Sequence, residues 1–353
     1  VDRIEVLRGP QGTLYGKNTL GGAIKLITRP LVETPYSHYE VEAGSYVWRR
    51  LSAEAGGKLT DDLRGKIVLS AEADNGYVEN LSGQDSANDV QSIQFRAALE
   101  FEVNPDFKLK WSADGLWEEP DTSRAVVRET SVSSSTTTYS PNENPDKINA
   151  NFNDLDDLTS EGTSVTASWR INENWDLKSI SAYRRHDYQS KLDVDGTAEQ
   201  VTDVWYFISG HQWSQEFRFI HEGQDNWDWV SGLYFIHEEN RAFDGIDLSD
   251  LANVGQASKY EQTTFSRALY SNVNYNFDKQ WTLSTGLRYT IEEKNFHRRM
   301  EGYAGVNTPV PGSGNEFGAG MVTTEYDKTA DWESLSPRLV LNYKHHEYQT
   351  YYA

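Results

Sequence analysis

From Tyr39 onward apolar and polar residues take turns along the chain. Tyr39, Val41 and Ala43 share one face, and Leu51, Ala53 and Ala55 form the next. Leu63, Gly65, Ile67, Leu69 and Ala71 continue the pattern. Ile93, Phe95, Ala97, Leu99, Phe101 and Val103 then alternate with Gln94, Arg96, Ala98, Glu100 and Glu102. Beyond Asn104-Pro105-Asp106 come Phe107, Leu109, Trp111, Ala113 and Trp117. Later segments repeat it, at Val165 to Ile171, Trp213 to Phe219, Trp229 to Phe235, Leu269 to Phe277, Leu283 to Tyr289 and Leu335 to Tyr343. A period of two over this length predicts strands with one apolar face, about twelve of them.

The connections predict which end of the strands is which. Tight polar turns at Asn104–Asp106, Asn172–Asn174, Glu222–Asn226, Asp278–Gln280 and His345–Glu347 alternate with long polar segments. The long ones lie near 76–88, 119–158, 190–207, 240–262 and 297–331. Short turns at one rim and long loops at the other are the habit of outer-membrane barrels, with the short turns on the periplasmic side. Phe107, Trp175, Trp227 and Trp281 directly follow tight turns, where an interfacial aromatic girdle belongs. A soluble sandwich or propeller also alternates, but it rarely needs such long loops after every second strand.

The opening stretch is of another kind. Ile4, Val6 and Leu7 form a short apolar strand that runs into Arg8-Gly9-Pro10. A glycine-punctuated loop follows, and Ala23 to Thr28 forms a second strand after Gly21-Gly22. Glycine permits backbone conformations that a side chain forbids, and proline fixes its own φ and lacks a donor, so this is a tight β-loop-β unit. It imitates a phosphate loop at Gly12 to Asn18, but the spacer is one residue short and Asn18 stands where a metal-binding hydroxyl belongs. No dinucleotide pattern is present either.

The run through Ile4-Glu5-Val6, Arg8-Gly9-Pro10, Gly12, Leu14-Tyr15-Gly16, Gly21-Gly22-Ala23-Ile24 and Thr28 resembles the end of the plug domain of TonB-dependent outer-membrane receptors. Ser214-Gln215-Glu216-Phe217-Arg218, Trp229 to Phe235, Leu283 to Tyr289 and Ser336-Pro337-Arg338 resemble strands of the same family. The resemblance implies an all-β fold: an antiparallel transmembrane β-barrel, here partial, about 12 strands of a larger barrel of roughly 22. Residues 1–30 would be the C-terminal end of the plug domain and 31–353 the N-terminal half of the barrel. Glu5, Arg8, Gly9, Pro10, Gly12, Tyr15, Gly16, Gly21 and Gly22 would be the plug motif, structural and gating in role.

Composition narrows the rest. The chain has 353 residues and no cysteine, so it holds no disulfide, thiolate nucleophile or zinc–cysteine site. A net charge of −21 argues against nucleic acid, which needs a basic face. No apolar run approaches the roughly 18 residues of a membrane helix, and a barrel with lipid-facing side chains at every second position keeps mean hydropathy low, here −0.70. The 11 Trp and 20 Tyr suit interfacial girdles. No signal peptide is visible ahead of Val1, and the last residues stop within a strand-like pattern, so the chain reads as part of a longer protein.

No catalytic constellation emerges. The 8 histidines are scattered, and His345-His346-Glu347 reads as a solvated turn. Asp193-Val-Asp195-Gly196 imitates a calcium loop without its third ligand or distant glutamate, and Asp154, Asp156 and Asp157 read as a solvated outer loop. Neither metal nor cofactor is expected. Trp205-Tyr206-Phe207, Tyr139 and Tyr260 read first as an outer aromatic belt and second as ligand-stacking rings. Arg8 either meets an inward carboxylate of the wall (Glu100, Glu102 or Glu216) or caps its own loop.

By that resemblance the expected function is active import of a scarce ligand across the bacterial cell outer membrane, without covalent chemistry. A ferric siderophore ranks first; cobalamin, haem and oligosaccharide are the alternatives, and a passive porin is the competing class. The implied partners are the TonB protein with its inner-membrane energising complex, the iron-siderophore or similar ligand, and outer-membrane lipid and lipopolysaccharide. The ligand-binding residues are not legible at this stage.

Overall fold

The alternating segments hydrogen-bond into one antiparallel sheet of 13 strands. The computed structural model describes the chain apart from residues 10–11, 17–18, 20, 83–85, 121–131, 134–137, 140–143, 151–154, 200, 224–225, 249–251, 305–307, 310–316, 347–348 and 353. Strands β1 (Arg3–Arg8) and β2 (Gly22–Ile27) pair with each other, with the short helix α1 (Gly12–Tyr15) between them. The sheet starts at β3 (Tyr36–Ala43), β4 (Arg49–Lys58) and β5 (Leu63–Ala73). After the short β6 (Glu79–Asn80) it continues through β7 (Gln91–Asn104) and β8 (Phe107–Glu118). The next connection holds β9 (Val132–Ser133), β10 (Thr138–Tyr139) and β11 (Lys147–Ile148). Then come β12 (Leu155–Asn172), β13 (Trp175–Asp193), β14 (Asp203–His221), β15 (Trp227–Leu248), β16 (Val254–Asn276), β17 (Trp281–Ala304), β18 (Met321–His346) and the short β19 (Gln349–Tyr352). Neighbours in the sheet follow chain order, and β3 and β19 are its two ends among the described residues.

The two faces of this sheet differ as the alternation requires. On β16, Leu269 is 56% exposed while Ala268 and Tyr270 on either side are 5% and 2%. Ile67, Leu99, Trp169, Phe217, Leu233, Leu287, Leu335 and Leu339 lie on the same open face as Leu269. The buried apolar clusters lie elsewhere, at Val78, Ala87, Ile148 and Ala150, and at Trp205, Ala257 and Tyr303. A continuous apolar face that covers nothing is the face a bilayer covers. Surface area agrees: a compact soluble chain of this mass would expose roughly 14,500 Å², whereas this one exposes 21194 Å².

Three of the five tight turns form where expected and by a shared device, while those at 222–226 and 345–347 include residues outside the described ones. Asn104 Oδ1 accepts the amide of Asp106 at 3.0 Å, Asn172 Oδ1 that of Asn174 at 3.0 Å, and Asp278 Oδ1 that of Gln280 at 2.7 Å. Such side chains mimic a backbone turn. The rings beside them stack along the rim. Trp175 lies 4.6 Å from Phe219, His221 lies 4.0 Å from Trp227, and Trp281 lies 4.5 Å from Tyr343.

Three long segments expected to be loops are strand over half or more of their length. The link after β13 is only 194–202, that after β15 only 249–253, and β17 and β18 are separated by 305–320. Asp156 and Asp157 likewise belong to β12, where Asp156 accepts the Tyr188 hydroxyl at 2.7 Å. About 9–11 residues cross a bilayer, yet β17 has 24 and β18 has 26. Beyond the membrane both faces of the ladder are wet, so the apolar half of the alternation disappears while the hydrogen bonding continues. Pro10, Asp154 and Glu347 fall outside the described residues.

One outer connection is tied down onto this extension. Glu301, fully buried, accepts the Tyr303 hydroxyl at 2.6 Å, Arg299 Nε at 2.7 Å, and the amides of Gly318 at 2.7 Å and Gly320 at 3.3 Å. Phe317 then packs edge-on to Phe243, with Lys259 4.6 Å from its ring centre. Burial pushes the Glu301 carboxyl up, but the bonds from Tyr303, Arg299 and the two amides outweigh it and hold it below the usual range. Burial and Glu301 together push the Tyr303 hydroxyl up to about 12.

Two outcomes follow. Leu339→Arg, on the open face, should cost about 2–4 kcal/mol if it sits at bilayer midplane depth, read by urea unfolding in lipid vesicles. Ser336→Arg, on the other face, should cost far less. A group held below its ordinary value stabilises above that value and loses the effect as pH falls through the folded-state one. Cleavage of the 317–320 segment by an acid-active protease should therefore rise below about pH 4, and Glu301→Gln should raise it at neutral pH.

Candidate functional site

The site is the contact between the N-terminal hairpin and the sheet. Backbone pairing from Arg3↔Ile27 to Arg8↔Gly22 sets the hairpin. Gly22 sits at φ 134°, where a Cβ would lie 2.2 Å from the Leu7 carbonyl oxygen. Gly9 (φ 78°) leaves β1, Gly12 opens α1, Tyr15 closes it, and Gly21 leads into β2. Glu5 stays within the hairpin, accepting Arg3 Nε at 2.8 Å with Lys25 Nζ at 3.5 Å. The bond from Arg3 holds the Glu5 carboxyl below the usual range, against desolvation and with help from the Lys25 charge.

Helix α1 docks on β16, β17 and β18 through its smallest surfaces. Thr13 is buried against Gly286, where a Cβ would come within 2.7 Å of Thr13 Cγ2 and 2.9 Å of Asn272 Oδ1. Gly16, at φ 79°, lies against Arg288, whose Nη2 would be 3.3 Å from a Cβ there. Thr19 closes this turn by donating to the Gly16 carbonyl at 2.8 Å. Gly286, Arg288 and Asn272 all occupy the face opposite Leu269, so the hairpin marks the inner side of the wall.

Beneath the hairpin lies a charged layer. The Arg288 guanidinium sits 5.7 Å from the Tyr234 ring centre and 5.6 Å from that of Tyr270. Tyr270 donates to Glu216 Oε1 at 2.5 Å, and Arg218 donates to Glu216 Oε2 at 2.7 Å. A buried carboxylate with two donors and a nearby guanidinium is compensated on every side. The three carboxylates named as candidates for Arg8 have further partners of their own among the described residues. Glu216 has Arg218 and Tyr270, while Glu100 and Glu102 receive Arg64 at 3.1 Å and 2.9 Å.

Periodicity placed Glu216 on the polar face but gave no role to Tyr270, Arg288, Asn272 or Gly286. The available signal was the even-numbered set Gly286 and Arg288 within Leu283 to Tyr289, a strand where apolar residues are odd-numbered. A second arrangement needs sheet geometry to be seen. Asp203, opposite Asp193 in register, supplies the third carboxylate that the Asp193–Asp195 spacing lacked, with oxygens of all three within 4.8 Å of one another. Asp195 is already engaged, accepting amides of Thr197 at 2.9 Å, Val201 at 3.2 Å and Thr202 at 2.7 Å. Those bonds fold the 194–202 link.

A family model described as TonB dependent receptor-like, beta-barrel, matches residues 104–353. The chain belongs to the TonB-dependent receptor family. It is 24% identical to the pesticin receptor of Yersinia pestis over 98% of this chain and 49% of that protein. It is 31% identical to the ferripyoverdine receptor of Pseudomonas aeruginosa over 32% of this chain and 13% of that one. The crystal structure of the ferric yersiniabactin uptake receptor from Yersinia pestis superposes with a TM-score of 0.79 at 17% identity, covering 99% of this chain and 50% of that one. The chain thus spans about half the length of relatives it matches nearly throughout. As a TonB-dependent receptor it is a bacterial outer-membrane β-barrel protein, and the open face of its sheet is the lipid face.

The contact makes a testable demand on this receptor. Gly286→Ala should push Thr13 off the wall and loosen the hairpin, raising single-channel conductance and sensitivity to a large antibiotic. Adding Thr13→Ala removes the clashing Cγ2 and should restore most of the seal.

Proposed function

We propose that the protein imports a scarce iron chelate, a ferric siderophore, across the outer membrane, driven by TonB and the proton-motive force. The supporting observation is the hairpin seated on the inner face of a receptor wall. A lumen filled by chain segments does not pass solutes passively, so transport needs the filling to move, and that movement needs an energy source. Relatives named for pesticin, ferripyoverdine and ferric yersiniabactin support the choice of cargo.

In this reading residues 1–30 end the plug domain and 31–353 begin the barrel. Glu5 and its salt links to Arg3 and Lys25 keep the hairpin a unit. Arg8, Gly9, Gly12, Tyr15, Gly16, Gly21 and Gly22 shape the turn that docks on Gly286 and Arg288, and Pro10 belongs to the same motif. The ligand occupies the outer vestibule, and its occupancy is relayed to the TonB-contacting side as a conformational change. Lipid and lipopolysaccharide surround the odd-numbered face.

Uptake of radiolabelled ferric siderophores by cells expressing the full-length receptor tests this. Accumulation should stop when TonB is deleted or the proton gradient is collapsed. Uptake that persists without TonB would instead identify a passive pore. TonB-dependent growth on cobalamin, haem or an oligosaccharide, but on no ferric chelate, would replace the cargo.

A further inference from the structure

We propose that Arg298, Tyr260, Tyr326 and Phe296, with Lys328 beside them, form a recognition patch on the inner wall for an anionic, aryl-bearing ferric chelate; this rests on the import reading above. The patch is set by register. Tyr260, Arg298 and Tyr326 are direct partners across β16, β17 and β18, and Phe296 pairs with Lys328 one step closer to the hairpin. All five are even-numbered, on the face that carries Gly286 and Arg288. Arg298 lies ten residues beyond Arg288 on the same strand, roughly 33 Å along it, in the outer extension of the wall.

The charge at this place lacks an ion-pair partner among the described residues. Arg298 Nη2 donates to Ser258 Oγ at 3.3 Å and approaches Met300 Sδ at 3.6 Å, while its buried Nε has no hydrogen-bond acceptor. Among the described residues no carboxylate comes within ion-pair distance of Arg298 or Lys328. Several other cations of the outer strand halves do have one: Arg184 meets Asp114 at 2.6 Å, Lys294 meets Glu292 at 3.3 Å, and Arg299 meets Glu301 at 2.7 Å. In a chain with 54 acidic residues against 33 basic ones, shortage of carboxylates does not explain the difference. Leaving a half-buried guanidinium nitrogen unpaired costs free energy that a bound anion recovers. Asp244 on the adjoining β15 acts on Arg298 only at a distance. Burial pushes the Asp244 carboxyl up, and the Arg298 charge draws it back down.

The rings supply the second half of the recognition. Tyr260 and Phe296 lie 6.2 Å apart between ring centres, as do Phe296 and Tyr326, so a row of three rings shares the face of Arg298 and neighbours it in register. Rings at this spacing offer faces and edges to a further aromatic group, and a planar guanidinium both stacks on π faces and forks onto oxygen anions. A ferric complex of catecholate or phenolate donors carries both features: negative charge on oxygen and flat aryl groups. A trihydroxamate complex of neutral or positive charge carries neither.

The test uses the full-length receptor in outer-membrane vesicles, with two radiolabelled probes: ferric tris-catecholate, a trianion, and ferrioxamine B, a cationic trihydroxamate. The native receptor should bind the tris-catecholate and prefer it. Arg298→Gln should weaken that binding about tenfold and flatten its salt dependence, the loss expected of one charge-assisted contact. Arg298→Lys should keep the salt dependence while losing part of the affinity, and Tyr326→Leu should weaken binding at unchanged salt dependence. Heat-modifiable mobility on gels shows that each variant is folded. Native-like tris-catecholate binding by both Arg298→Gln and Tyr326→Leu, or a preference for ferrioxamine B, overturns the patch and leaves the import reading standing. A receptor that binds neither chelate also overturns the patch, and the uptake assay then decides the import reading by itself.

Discussion

A strand in hydrocarbon can satisfy its backbone only by pairing with other strands, and this requirement governs everything else in the structure. Pairing fixes the register of each ladder, and register fixes which side chains face lipid. Slippage by one residue would turn Leu233, Leu269, Leu287 and Leu335 inward and Glu216, Tyr270 and Arg288 outward. The cost of that exchange is large on both faces at once, so the apolar surface and the inner charged layer specify one alignment together. This is why a chain with mean hydropathy of −0.70 can still be a membrane protein.

The inner layer shows how charge is kept within such a wall. Arg288 lies over two tyrosine rings, and Glu216 takes hydrogen bonds from Tyr270 and Arg218. Small residues make room for this. A Cβ on Gly232 would stand 2.5 Å from the Tyr270 hydroxyl, and one on Gly286 would strike Thr13. Glycines inside a strand weaken it, yet here they let tyrosine cross its neighbour and let the hairpin approach the backbone. The wall gives up local strand preference at these positions to gain a docking surface.

Much of this was legible from alternation and turns. The tight turns fall at Asn104, Asn172 and Asp278 because an Asx side chain can stand in for a backbone acceptor, and that signal is local. The strand extensions were not legible, because β15 to β18 carry polar residues on both faces outside the membrane and periodicity has nothing to read. The docking surface was half legible. Glycine at 16 and 22 marks backbone that only glycine tolerates, but Gly286 meets Thr13 through long-range folding. The aromatic run Trp205-Tyr206-Phe207 does not act as one group. Alternation sends Trp205 and Phe207 to the covered outer face and leaves Tyr206 on the inner one.

These features divide the molecule into a part that stays and a part that can go. Strands β13 to β18 hold one another through unbroken runs of paired residues, interrupted only by the bulge near Met300, so relative sliding would break many hydrogen bonds together. The hairpin holds the wall differently, through Thr13 and Gly16 on glycine and guanidinium, with its apolar residues Ile4, Val6, Ile24 and Leu26 exposed. Among the described residues little apolar area is buried at that contact, so releasing it costs little compared with shearing the sheet. In the proposed import reading, the wall is the rigid frame and the hairpin the part whose release is cheap enough to move against it.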